Sequence, residues 1–89
     1  MAKIIKSDGM VMEVEPRNGK DFTLQEMQSV VGGHIEVLWL GDNLMIVNEE
    51  GKLNNLPINV KATRLLRGTI YQPDIVVGDV LYCPKEQVK

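Results

Sequence analysis

Between Val47 and Arg67 the chain gathers residues that could hold a small anion. The stretch carries Asn48, Asn54, Asn55 and Asn59, the acid pair Glu49-Glu50, and the cations Lys52, Lys61, Arg64 and Arg67. If Asn59 caps a helix, the amides of Val60, Lys61 and Ala62 converge on one spot. A helix amino end beside a lysine attracts negative charge. The asparagine carboxamides add donors and acceptors suited to ribose or base edges. The candidate ligand-binding residues are therefore Asn48, Glu49, Lys52, Asn59, Thr63 and Arg64, and the expected ligand is a small, anionic, nucleotide-like molecule. The same string also reads as a turn and a cap. Glu50-Gly51 reverses the chain, Pro57 stiffens it and Asn59 closes a helix end, which is the simpler account of those residue types.

Signatures of catalysis are missing from the string and from the rest of the chain. His34 is the only histidine and Cys83 the only cysteine. They would form a nucleophile and base only if folding joined them. Gly51-Lys52 is followed by Leu53 where a phosphate-binding loop needs serine or threonine. Gly32-Gly33 follows a helix pattern instead of opening one, so it is no dinucleotide fingerprint. Asp42-Asn43 lacks the remainder of a calcium loop. We expect no enzyme, no catalytic residue, no metal and no cofactor. The one catalytic reading left open uses carboxylates such as Glu49 and Glu50 on a nucleotide.

Composition sets the frame. Eighty-nine residues suffice for one domain, spanning 1–89, and not for two. A hydrophobic fraction of 44% favours folding over disorder, and so short a chain gains from self-association, so a homo-oligomer is expected. A net charge of −2 argues against a general nucleic-acid binder. A single cysteine excludes an internal disulfide and fits a reducing cytosol. The amino end MAKIIKSDGM has too short an apolar run for a signal peptide, and no run approaches membrane-spanning length. A cytoplasmic protein without membrane contact is expected.

The elements that must position these residues are legible in part. Lys3–Lys6 and Met10–Glu15 flank Ser7-Asp8-Gly9, a hairpin signal, with Met10, Met12 and Val14 on one face. Pro16–Gly19 reads as a turn. Thr23 and Glu26 make a capping box, and Phe22 and Met27 stand at the staple positions. Leu24, Met27 and Val31 form the apolar stripe of that first helix, and Gly32-Gly33 ends it. His34–Leu40 predicts a strand with Ile35, Val37 and Trp39 on one face, Trp39 being expected in the core. Gly41-Asp42-Asn43 turns the chain into a return strand, Leu44–Val47. Lys52-Leu53 could start a short strand. Asn59 caps a second helix running to Arg67, with Ala62, Leu65 and Leu66 buried and Gly68 as its stop. Gly78-Asp79 marks a turn or bulge before a last strand, Val80–Cys83. The expected fold is α+β: a small single domain with a mostly antiparallel sheet and two short helices on one face.

Three segments, LQEMQSVVGGHIEVLWL, LMIVNEEGKLNNLPINVKAT and DIVVGDVLY, carry a family resemblance. From about Leu24 to Tyr82 the chain resembles an uncharacterised small-domain family of phages, prophages and plasmids, domain of unknown function 3846. The most specific part is VGG-x-IE followed by NEEGKL-x-x-LP-x-N-x-x-AT. The resemblance implies a mobile-element protein acting inside a bacterial cell, and it supplies no catalytic residue. It directs attention to Asn48, Glu49, Gly51, Lys52, Pro57, Asn59, Ala62 and Thr63. The leading expectation is a non-catalytic binding protein that sequesters a nucleotide-derived host immune signal. A sponge of that kind needs a pocket and no nucleophile, and subunit interfaces could enlarge the pocket. The alternative is a protein-interaction module that uses exposed apolar residues, Met10 or Tyr71 among them, to inhibit a host defence or regulatory protein.

Overall fold

The computed structural model describes residues 2–72 and 74–88 of the chain. Strands β1 (Ala2–Ile5) and β2 (Val11–Val14) form the first hairpin. The Asp8 carboxylate accepts the Met10 N–H at 2.9 Å, and Gly9 takes φ 97°, where a side chain would be strained. Helix α1 (Leu24–Val31) follows, then β3 (Ile35–Leu40), β4 (Asn43–Asn48), the five-residue helix α2 (Val60–Arg64) and β5 (Val80–Pro84). The five strands make one sheet in the order β2-β1-β5-β4-β3, with every pair antiparallel. The last strand in sequence is thus the middle of the sheet, and β2 and β3 are its edges.

The expected α+β class and antiparallel sheet hold, but the two helices do not share a face. Residues of β4 alternate strictly: Leu44 and Ile46 pack with Met27 and Val31 of α1, whereas Met45 and Val47 pack with Ala62 of α2 and with Leu66. Two cores therefore sandwich the sheet. Both central strands are apolar on both faces, so alternation in β4 and β5 points to neither side.

Helix α1 begins as its sequence dictates. The Thr23 hydroxyl accepts the Glu26 N–H, and the Glu26 carboxylate accepts the Thr23 N–H at 2.9 Å. Phe22 and Met27 are both buried in the same core, as a hydrophobic staple requires. Gly32 closes the helix at φ 80°. Leu24 is a correction: it is exposed, and only Met27 and Val31 of the stripe are fully buried. The cap also reaches across the chain, because the Glu26 carboxylate accepts the Arg17 N–H at 2.9 Å. These two backbone donors, Thr23 first, hold the Glu26 carboxyl below its ordinary range. A lowered folded value means its stabilisation is present above the unfolded pKa, about 4.3, and is lost as pH falls through the folded one. Glu26→Gln should therefore lower the urea midpoint at neutral pH, and the gap to wild type should narrow as pH falls below the unfolded value and through the folded one. A constant gap across that range would show that charge plays no part in the cap.

Three further expectations need correcting. Trp39 is not core: it is 60% exposed on edge strand β3. It shares a face with Ile35 and Val37, which pack against the α1-side core, but lies outside that core itself. Lys52-Leu53 forms turns and no strand, with Asn55 at φ 54°. Helix α2 stops at Arg64, short of Arg67. Beyond it, Leu65 N–H bonds the carbonyl of Ala62 and Leu66 N–H that of Thr63, a tightening typical of a helix's last turn. That turn drops Leu66 into the core while Leu65 stays exposed. Gly78-Asp79 behaves as expected: Gly78 takes φ 76° before β5, and Asp79 accepts the Ser7 N–H at 2.9 Å.

Candidate functional site

The six candidate residues are not brought to one point. Asn59 lies at zero exposure between the sheet and α2. Its side-chain oxygen accepts the Ala62 N–H at 3.1 Å, and its side-chain nitrogen donates to the carbonyls of Ile5 and Gly78, each at 2.8 Å. The main-chain carbonyl of Asn59 takes the Thr63 N–H at 3.0 Å. Of the three amides expected to converge at the amino end of α2, that of Ala62 is taken by the Asn59 side chain. The other bonds of that side chain weld β1, α2 and the approach to β5 together.

Thr63 and Asn48 are spent in the same way. The Thr63 hydroxyl donates to the Asn59 carbonyl at 2.8 Å and accepts the Val76 N–H at 2.9 Å. Asn48 donates to the Val31 carbonyl at 3.1 Å and accepts the Glu50 N–H at 2.8 Å, tying β4 to the end of α1. Lys61 donates to the Gly9 carbonyl at 2.6 Å. Lys52 pairs with Asp74. That ammonium, with the Ile75 N–H behind it, holds the Asp74 carboxyl below its usual range. Glu49 and Arg64 alone of the six make no side-chain hydrogen bond or ion pair among the described residues.

Two grooves open on the α2 side of the sheet. The first, about 180 Å³, is floored by Leu38, Val47, Leu66 and Val76 and rimmed by Glu36, Glu49, Lys52 and Asp74. Three carboxylates against one ammonium, itself already paired, make it hostile to an anion. The second, about 420 Å³, is lined by Ile58, Val60, Thr63, Arg64, Arg67 and Ile75, among others. Leu66, Asp74 and Ile75 belong to both grooves, so the two abut across that segment.

The second groove is bordered by apolar residues that the polar pattern concealed. Ile58 is 56% exposed, Val60 54% and Ile75 46%, and Leu53 is 82% exposed beside the first groove. Ile58 and Val60 point outward because Asn59 between them points in. An apolar pair flanking an inward cap was the available signal. Arg67 was also missed as a lining residue. It forms no ion pair among the described residues, and neither does Arg64.

Tyr71 shows a different use of an aromatic. It is half-buried at the first groove, and its hydroxyl accepts the Trp39 N–H at 2.9 Å. The loop after α2 thereby caps one amide of edge strand β3, a position that would otherwise invite another strand. Tyr71→Phe should speed hydrogen exchange of the Trp39 amide by about fivefold, the equivalent of a bond worth about 1 kcal/mol. Unchanged exchange would show that the cap carries nothing.

The histidine and cysteine stay apart. Cys83 sits opposite Leu44 in the α1-side core, near one end of the sheet, while His34 precedes β3 at the other. Burial pushes the Cys83 thiol up to about 11, so it carries little thiolate at neutral pH. Among the described residues no group of three or more His, Cys, Asp or Glu side chains could hold a metal ion, and no helix is long and apolar enough to cross a membrane. A family model described as a domain of unknown function matches residues 3–88. No curated protein and no solved structure matches the chain.

Proposed function

We propose, for a chain that belongs to the DUF3846 family of domains of unknown function, a non-catalytic protein-interaction role in the cytoplasm of a bacterial host. The observation that carries this reading is the seam of exposed Ile58, Val60 and Ile75 beside the cations Arg64 and Arg67, which form no ion pair among the described residues. An apolar patch rimmed by polar groups is the ordinary signature of a docking face. Ile70, Leu53 and Leu24 are also exposed but do not line this groove. Val11 and Met12 of β2 face opposite sides of the sheet, and Trp39 shares its face with half-buried Ile35 and Val37. The charges around the seam are also asymmetric: Glu36 and Glu49 lie beyond Ile75 on one side, and the arginines on the other. Such an arrangement fixes a partner's orientation. A phage or other mobile element would use the domain to inhibit a host defence or regulatory protein by occupying one of its surfaces.

A second reading keeps the nucleotide-derived immune signal as ligand and moves it to the second groove. Its support is the pair Arg64 and Arg67, since guanidinium groups fork onto phosphate oxygens. Capture from bacterial lysate separates the two. The protein-interaction reading expects a stoichiometric partner protein that is lost in Ile58→Asp/Ile75→Asp, a variant whose circular dichroism stays native. A bound nucleotide with no protein partner favours the second reading, and a partner held equally by the variant contradicts the first.

A further inference from the structure

We propose that the groove beside α2 receives an acidic, amphipathic segment of a partner protein, with an apolar side chain between Ile58, Val60 and Ile75 and flanking carboxylates on Arg64 and Arg67. This rests on the protein-interaction reading above and names the chemistry of the partner.

The chain distributes its charge unevenly around this groove. It has twelve acidic and ten basic residues, so acids are available to neutralise every cation. Yet among the described residues Asp74 is the one acid lining this groove, and Lys52 already holds it. Helix α2 has no acid in its first turn and has Lys61 and Arg64 in its last. Lys61 is turned away onto the Gly9 carbonyl. What faces the groove is therefore two arginines without counter-ions among the described residues, set among apolar side chains. Arginine suits this position because its guanidinium is weakly hydrated and binds a carboxylate with two parallel bonds. A volume of about 420 Å³ is room for side chains of a docked segment.

Direction follows from the neighbouring groove. Glu36 and Glu49 stand across the Asp74-Ile75 segment, so an acidic segment is repelled there and is steered along α2. Like charges opposed at an interface discriminate as strongly as the favourable pairs do.

The test uses the full chain and two synthetic helical peptides that share one leucine stripe. One carries glutamate beside the stripe and the other lysine. Methyl NMR titration at low salt should show the glutamate peptide shifting Ile58, Val60 and Ile75 with affinity roughly tenfold above the lysine peptide, the scale of a well-placed charge-assisted pair. Arg64→Gln/Arg67→Gln should abolish that preference and leave the core methyls of Ile5 and Ile46 unmoved. If the lysine peptide binds the seam equally or better, the acidic partner is overturned while docking at the seam stands. If neither peptide moves those methyls, the groove is no peptide site and this inference falls. The lysate capture then decides the broader reading on its own.

Discussion

Asn59→Asp should cost about 3 kcal/mol or more at neutral pH, a large share of the 5–15 kcal/mol typical of a folded domain. The substitution keeps shape and keeps the oxygen that accepts the Ala62 N–H. It replaces the amide donor with a second oxygen aimed at the carbonyls of Ile5 and Gly78, both 2.8 Å from the original nitrogen. Two buried acceptors lose their donor, and a charge is enclosed at a site with zero exposure. The penalty has a pH signature. Burial beside carbonyl oxygens raises the folded pKa of the introduced carboxyl, so the folded state holds the proton longer. The variant should therefore be least unstable below the unfolded value, about 3.9, and should lose stability as pH rises through and above it. Urea unfolding of both proteins across pH 3 to 7 reads this directly. A loss of only about 1 kcal/mol, independent of pH, would reduce Asn59 to an ordinary helix cap.

Leu81→Ala should be of similar or greater size, about 3–5 kcal/mol, in the range for large-to-small changes that leave a cavity. Leu81 is at zero exposure in the central strand β5. It stands opposite Ile4 on β1 and Ile46 on β4. Those in turn face Met12 and Val37, so one row crosses all five strands. Removing its middle member leaves neighbours on stiff strands that cannot close the gap, and α1 loses the ground beneath it. Chemical denaturation should show the lower midpoint with an unchanged slope. A loss under about 1.5 kcal/mol would mean that the row relaxes far more than a packed sheet normally does.

The local grammar of the fold was readable because its physics is local. Thr23, Glu26, Phe22 and Met27 specify the start of α1 among themselves, and Gly9 and Gly41 take φ 97° and 73° at the hairpins where turns need them. Asn59 caps α2, as its place before Val60 predicts. What it does with its nitrogen was not readable, because Ile5 is 54 positions away. The same limit concealed the opposite placement of the helices. Apolar runs such as Leu44–Val47 are buried on both faces, and nothing in the run says which helix covers which. The candidate residues are divided for a related reason: Asn48, Glu49 and Lys52 line the first groove, Thr63 and Arg64 the second, and Asn59 is buried. Asparagines, a threonine and a lysine cluster in sequence whether they serve a ligand or each other. Here Asn48, Asn59, Thr63 and Lys52 are satisfied internally. The residues left outward were the apolar neighbours Ile58 and Val60, which a search for polar chemistry passes over.

On the proposed reading, the face made by α2 and the Asp74-Ile75 segment is where this domain meets another protein. Carbene footprinting of the chain in bacterial lysate, compared with buffer, tests it residue by residue and needs no knowledge of the partner. Protection centred on Ile58, Val60 and Ile75, with Met10, Met12 and Trp39 labelled as in buffer, is the predicted result. Protection at β2 or around Trp39 with the α2 face still open, or no protection anywhere, would contradict it.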